Sequence, residues 1–346
     1  MLPATRRRNT GAAGIDDVAG LAGVSPSTVS NVLNHPERVA PATIDKVRRA
    51  IAMLQYVPNG AARSLAAGGS RSVGLVLSDL GNSLFVDIAR GAEERAAEIG
   101  VSVILANSEG RLDREERALE VFEQSLALGS LLTLNDAEHF RAIAARPASR
   151  APIIVLNYHD TSALFCSAHI DNVHGGELAT RHLLNQGRSR LVFVGGPGSL
   201  QPVDDRRQGF ERALAAAGVR AAGEYSPEQV NRADGWLVGR ALAPRVLAGE
   251  VDGIVAASDL LAAGIVQALA EVPSIDLPGA VSVIGYDNNQ AAWDAPIPIS
   301  TVSQPGAELG ATGLALLAEE LSGEPHQHRS IRLQPALVER RSTRRD

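Results

Sequence analysis

Over the first fifty-odd residues, apolar positions recur at helical spacing. Ile15, Val18, Ala19 and Ala22 share one face of a short helix, which Gly23 ends because glycine tolerates the left-handed conformation favoured at a helix terminus. A second helix has a clear start: Ser25 caps it, Pro26 suits its first position, and Val24 and Val29 flank the cap as a hydrophobic staple. Val29, Val32 and Leu33 face inward, which leaves Pro26, Ser27, Thr28, Ser30 and Asn31 as an outward face of short side chains. A third helix begins at Pro41, with Ile44, Val47, Ile51 and Leu54 on one side. Two short helices joined at a glycine suit a helix-turn-helix unit that presents its second helix to phosphates and base edges. An ordinary helical hairpin has the same spacing.

Pro58 then breaks the pattern, and Asn59 is placed to cap a helix of about two turns, below the length at which an isolated helix is stable in water. Gly68 and Gly69 follow as a joint. From Val73 the period changes to apolar runs alternating with amphipathic helices, the pattern of parallel sheet with crossover helices. Strands are predicted over 73–77, 101–106, 131–134, 153–157, 191–194, 253–256 and 281–285. Helices are predicted over 85–99, 115–126, 176–184, 207–217, 236–247 and 260–270. This is too much chain for one open sheet, so two α/β lobes are expected. Ligands in such sheets bind beyond the carboxyl ends of the strands, which directs attention to the loops 79–84, 157–160, 195–205, 258–259 and 287–296.

Composition sharpens this division. The chain has 346 residues, 45% of them hydrophobic, enough for more than one core. Residues 1–71 carry nine basic and four acidic side chains, whereas the remainder carries 24 and 35, so a basic module is joined to an acidic body. A polyanion would attract the first and be repelled by the second. The single cysteine, Cys166, excludes an internal disulfide and, with His169, His174, His182, His326 and His328 in no regular ligand spacing, gives no expectation of a metal. No cofactor is expected. No apolar run approaches the roughly 20 residues of a membrane span, and no export signal follows Arg6 to Arg8, so a cytoplasmic protein is expected.

The segments DVAGLAGVSPSTVSNVLN (17–34) and YVPNGAARSL (56–65) resemble the headpiece and hinge of the lactose-repressor/purine-repressor (LacI/GalR) transcription regulators. HIDNVHGGELATRHLLNQG, RRQGFERAL, SDLLAAGIVQAL, VSVIGYDNN, TVSQP and LVERRST are similar to segments of that family's effector domain, in the same order. The resemblance implies an N-terminal all-α helix-turn-helix headpiece followed by a two-lobed, periplasmic-binding-protein-like α/β effector domain of parallel sheets. It implies a homodimer on a palindromic, double-stranded operator, and no heptad tail follows that would make a tetramer. It puts Ser25, Pro26, Ser27, Thr28 and Asn31 at the major groove, where Asn31 favours adenine. Asn59 and Arg63 are implied as backbone contacts, and Leu65, with Ala62 beside it, as the apolar wedge of the minor groove. A core leucine is the other reading of Leu65.

In the effector domain the resemblance implies Asn82, Phe85, Asp171, Arg206, Trp236, Ser258 and Asp287 around a small molecule held between the lobes. A carboxylate facing a guanidinium, with an aromatic wall, suits a sugar or sugar derivative. Leu200 and Pro202 stand where a nucleobase would want polar groups. Asp171 has a second reading, as a helix cap. The expected boundaries are a basic arm at 1–13, the headpiece at 14–57, hinge helix and linker at 58–71, the effector-binding and dimerisation domain at 72–340, and a tail at 341–346. The region 125–151 departs most from the family, which puts its local topology in doubt. Two other functions compete. A sugar receptor of the same fold would lack the basic headpiece. An enzyme would need more than Gly195-Gly196-Pro197-Gly198, which lacks the spacing of a dinucleotide loop and the Lys-Ser/Thr of an ATP loop.

Overall fold

A computed structural model describes residues 13–56, 71–147 and 151–344. They fall into two compact units divided at Ser70 and Arg71.

The first unit holds helices α1 (Ile15–Ala22), α2 (Pro26–Asn34) and α3 (Pro41–Leu54), with a single 3₁₀ turn at Pro36–Arg38. Gly23 adopts φ 66°, and the Ser25 hydroxyl accepts the Thr28 amide at 3.1 Å, so both helix boundaries lie where the residue types demand them. Val18, Ala19, Val29, Val32, Val47 and Ala50 are buried, with Ile15, Ala22, Val24, Leu33, Ile44, Ile51 and Leu54 packed around them. A core this small leaves most of the surface of α2 to solvent.

The second unit contains two six-stranded sheets. The first is built from β1 (Ser72–Leu77), β2 (Ser102–Asn107), β3 (Ser130–Thr133), β4 (Ile153–Leu156), β5 (Ser167–Ile170) and β11 (Ser330–Leu333), in the order β11-β5-β4-β3-β1-β2. The second comprises β6 (Leu191–Val194), β7 (Gly223–Tyr225), β8 (Gly253–Ala256), β9 (Ser282–Asp287), β10 (Ser300–Ser303) and β12 (Ala336–Val338), in the order β12-β10-β9-β8-β6-β7. All neighbours are parallel except β10 and β12. The first lobe carries helices α4 (Ser83–Glu98), α5 (Leu112–Gln124) and α6 (Ala137–Ala144). The second carries α7 (Asn172–Asn185), α8 (Gln201–Ala217), α9 (Arg232–Leu247), α10 (Asp259–Ala270) and α11 (Gln290–Asp294), after which α12 (Gly306–Glu320) returns to pack on α4.

The chain crosses between the lobes three times, after β5, β10 and β11. In each lobe the strand order reverses between the first strand and the third, and ligands bind beyond the carboxyl ends at such a reversal. Here the reversals lie between β1 and β3 and between β6 and β8. The loops leaving all four strands contribute to one cavity.

Several expectations change. Within the region 125–151, the described residues form an ordinary strand and helix, β3 and α6, with β3 in the parallel order. Helix α8 starts at Gln201 rather than Arg207, so half of the expected loop 195–205 is helical. Part of the expected tail is packed into the second lobe: Ser342 and Thr343 are fully buried, Ser342 Oγ accepts the Ser300 amide at 2.8 Å, and Thr343 Oγ1 lies 2.8 Å from His182 Nε2. Two hydroxyls inside a lobe need such partners, and the effector domain extends accordingly.

Candidate ligand cleft and DNA-facing helix

Helix α2 exposes Pro26, Ser27 and Asn31, while Thr28 is half-buried. Ser25 Oγ lies 2.7 Å from Ser27 Oγ and 2.8 Å from Thr28 Oγ1, a hydroxyl cluster at the helix N-terminus. This end carries the partial positive charge of the helix and its unpaired amides, which suit a phosphate. Asn59, Ala62, Arg63 and Leu65 lie outside the described residues.

The cleft encloses about 520 Å³. Asn82, Phe85, Arg206, Ser258 and Asp287, all expected from the sequence, line it. At its centre is the Asp287 carboxylate, which accepts Asn82 Nδ2 at 3.1 Å from the first lobe and Gln304 Nε2 at 2.6 Å from a crossing segment. Arg206 Nη1 stands 3.7 Å from Asp287 Oδ1. The guanidinium is held from behind by Asn172 Oδ1 at 2.9 Å and the Ala257 carbonyl at 2.6 Å, and lies 3.8 Å over the Tyr286 ring. Such backing fixes the guanidinium plane, so little is lost in ordering it when a ligand arrives. Asp287 itself adopts φ 109°, a conformation disfavoured for any residue with a side chain. The three polar neighbours over-determine it there.

Burial pushes the Asp287 carboxyl above the ordinary carboxylate range, against the opposing pull of Arg206, Asn82 and Gln304. Asp259, fully buried behind it, is pushed up further by burial and by the charge of Asp287. Asp259 lies against Gly285, where an added Cβ would come within 2.1 Å of its Oδ1, so the glycine of Gly-Tyr-Asp makes room for this second carboxylate.

The cap residues double as cleft residues. Asn82 Oδ1 accepts the Leu84 amide at 3.0 Å while its amide nitrogen reaches Asp287, and Ser258 Oγ accepts the Leu261 amide at 3.2 Å. Two further contacts join the lobes: the His159 amide donates to Gln201 Oε1 at 2.7 Å, and the Gln201 amide donates to the Asn135 carbonyl at 2.7 Å. Asn157, at φ 62°, donates Nδ2 to Asn135 Oδ1 at 2.6 Å and leaves its buried Oδ1 without a partner among the described residues. A buried acceptor so placed is open to a donor from a molecule in the cleft.

Two expected ligand residues stand elsewhere. Trp236 is on the α9 face, where its indole donates to Glu271 at 3.1 Å and Arg240 lies 4.9 Å over its ring. The other aromatic, Phe85, is the one that reaches the cavity. Asp171 caps α7, accepting the His174 amide at 3.0 Å, and pairs with Arg332 at 3.4 Å. It borders a separate cavity of about 310 Å³ with His159, His169 and Asp205. The capping reading is the one the geometry supports. Gln304, Asn157, Asn135 and Tyr286 are cleft or backing residues that the sequence did not single out. TVSQP and GYD carried two of them within segments already noted.

A three-helix headpiece with an exposed polar second helix, joined to a two-lobed domain with a polar cleft, is the architecture of a DNA-binding regulator with a ligand-binding domain. Comparison with known proteins makes the family plain. Residues 14–59 match the model of bacterial regulatory proteins of the lacI family, and residues 180–343 match the periplasmic binding protein-like domain. The ribose operon repressor of Escherichia coli K12 is 30% identical over 332 residues, covering 94% of this chain and 98% of its own length. The transcriptional repressor PurR of Photobacterium profundum is 29% identical over 336 residues, covering 95% and 98%. Among solved structures, the Lac repressor bound to ONPG in the repressed state superposes with a TM-score of 0.83 at 25% identity, covering 96% and 99%. The regulator CelR in complex with cellobiose gives 0.71 at 28%, covering 95% and 99%. The chain belongs to the LacI family of DNA-binding transcriptional repressors with a ligand-binding domain.

Proposed function

We propose that this regulator binds a palindromic operator as a homodimer and is controlled by a sugar or sugar derivative held between the lobes. The observation that carries the ligand class is the composition of the cleft. Asp287 and Arg206 lie close together, Asn82, Asn135 and Asn157 offer amides, and Phe85 supplies an apolar wall. Carboxylates and amides read adjacent hydroxyls in pairs, and an aromatic covers the apolar face of a sugar ring. Leu200, Pro202 and Val203 occupy a further wall, where a nucleobase edge would find no hydrogen-bond partner. Two relatives point the same way by their names, a ribose operon repressor and a cellobiose complex.

The proposed coupling is a population shift. A ligand touching both lobes stabilises their closed arrangement, and it changes DNA affinity by its preference for one arrangement over the other. The coupling is reciprocal, so a ligand that loosens DNA binding binds less tightly to the DNA-bound protein. On the DNA side, Ser25, Ser27, Thr28 and Asn31 are proposed as major-groove contacts, Asn59 and Arg63 as backbone contacts, and Leu65 with Ala62 as the minor-groove wedge.

The test is a thermal-shift screen of pentoses, hexoses, disaccharides, sugar phosphates and nucleobases, followed by titration of operator binding at fixed salt with each compound that binds. A sugar that raises the melting temperature and alters operator affinity is the expected result. Binding of a purine base alone would overturn the ligand class. Leu65→Ala is expected to weaken specific operator binding strongly, and unchanged affinity would remove the wedge assignment.

A further inference from the structure

Beneath the first lobe, at the end of its sheet away from the cleft, four side chains from distant parts of the sequence converge. Strands β5 and β11 pair in parallel with Ser167 opposite Ser330, so the residues just before each strand lie side by side. Cys166 precedes β5, Glu320 ends α12, and His326 and His328 lie in the loop leading to β11. Cys166 Sγ is 2.9 Å from His326 Nε2, His326 Nε2 is 3.5 Å from Glu320 Oε1, and His328 Nδ1 is 3.4 Å from the same oxygen. All four ligand atoms lie within 4.8 Å of one another, the one such group among the described residues.

Hydrogen bonding alone serves this cluster badly. Glu320 Oε1 is buried and has no hydrogen-bond partner among the described residues, although two imidazole nitrogens stand near it. His326 Nε2 faces both the sulfur and the oxygen, and one N–H cannot be directed to both. A buried acceptor left in this way costs free energy that a cation would recover. Metal–sulfur bonds of about 2.3 Å and metal–nitrogen or metal–oxygen bonds of about 2.0–2.1 Å place neighbouring tetrahedral ligands about 3.3–3.6 Å apart; the two imidazole–carboxylate separations of 3.5 and 3.4 Å match this, and the 2.9 Å sulfur–nitrogen contact would open to admit the ion.

We propose that Cys166, Glu320, His326 and His328 bind one zinc(II) ion, which ties the loop before β11 to the edge of β5. One thiolate, two imidazoles and one carboxylate form the mixed sulfur, nitrogen and oxygen set that selects a borderline-soft divalent ion over magnesium or calcium. With four protein ligands the site is closed, and its role is to hold structure. The cleft lies at the opposite, carboxyl end of the same sheet, lined from other strands, so the ion is bound independently of the effector.

The test uses the full-length chain stripped with a chelator and then titrated with cobalt(II), followed by displacement with zinc(II). One equivalent of cobalt is expected, with the near-ultraviolet charge-transfer band of a cobalt–thiolate bond and the intense visible bands of a tetrahedral centre. Cys166→Ser is expected to abolish the charge-transfer band. His328→Gln, at the solvent-facing rim, is expected to weaken binding by about tenfold or more, since losing a ligand costs at least as much as losing an outer support. This variant keeps the test decisive if the buried cysteine variant fails to fold. Zinc should also raise the melting temperature of the stripped protein, and much less so that of His328→Gln. The proposal is overturned if the stripped chain takes up no stoichiometric cobalt or zinc at micromolar concentration. It is equally overturned if the charge-transfer band is absent, or if binding is unchanged in His328→Gln.

Discussion

Arg206 joins the ligand cleft to the body of the second lobe, and its removal exposes both roles. Arg206→Ala takes the cation away from Asp287, which keeps Asn82 and Gln304 as donors, and leaves Asn172 Oδ1 and the Ala257 carbonyl without the guanidinium. Breaking a buried charge pair on one side costs about 3–5 kcal/mol, so the variant should melt earlier and give no effector response. Arg206→Lys keeps the charge but cannot span the same partners, so it should lose the response with a smaller stability loss; a normal ligand titration in that variant would contradict the cleft assignment. A second residue prediction concerns acid. Burial, then the nearby His159 and Arg332, lowers the His169 pKa to about 4. The folded protein therefore resists protonating this ring, and that stabilisation, present above pH 6.5, is lost as pH falls towards 4. Asp205, raised to about 6 chiefly by burial, acts in the opposite direction, favouring the folded state as pH falls through 6. The two act against each other in the wild type. His169→Gln removes one of them, so urea midpoints at pH 7 and pH 5 should show the variant gaining on the wild type in acid.

The helices are held in pairs by contacts too close for a side chain, and one pair bears directly on the cleft. Gly176 of α7 faces Arg206 of α8, and an added Cβ would come within 2.2 Å of the Arg206 carbonyl. Gly176→Ala should displace α8 at a residue that lines the cleft and is proposed to meet the ligand, weakening effector binding as well as lowering stability. Gly239→Ala, whose Cβ would meet Ala268 at 2.8 Å between α9 and α10, should cost a similar overpacking penalty of about 1–3 kcal/mol while leaving ligand affinity intact. Calorimetric titration with thermal melts separates the two. The same glycines explain what was legible in the sequence. Strands Leu191–Val194 and Gly253–Ala256 read directly, because unbroken apolar runs buried on both faces have no other explanation. Helix α12 did not, since Gly306, Gly310 and Gly313 look like breakers when they are in fact contact points against α4 and Leu156. Short polar strands such as Ser167–Ile170 and Ser300–Ser303 were equally hidden, their burial being decided by neighbours far along the chain. The site followed the same division: Arg206 and Asp287 sit in contiguous segments, whereas Trp236 was placed by residue type alone and the group around Cys166 is assembled only by the pairing of β5 with β11.

On the scale of the whole molecule, the first lobe ends in an edge strand that a lone copy would not be expected to tolerate. Strand β2 pairs only with β1, and its neighbouring Ile104 and Leu105, which point to opposite faces, are 42% and 44% exposed. Unpaired backbone and apolar side chains on one edge invite another chain unless charge, a bulge or proline blunts them. The acidic body makes non-specific attraction between copies unfavourable, so an association here depends on complementary apolar contact. The homodimer proposed above gives this edge an occupant and gives a palindromic operator its two readers. Replacing Ile104 and Leu105 together with lysine should turn a sedimenting dimer into a folded monomer, because both side chains already lie at the surface and their loss opens no cavity. Operator affinity should then fall by about 10²–10⁴-fold, the gain that linking two readers provides, while affinity for an isolated half-site stays unchanged at the same salt. Sedimentation as a dimer after this double change would place the interface elsewhere. Loss of half-site affinity as well would mean that the damage lies in the headpiece and not in the pairing of two copies.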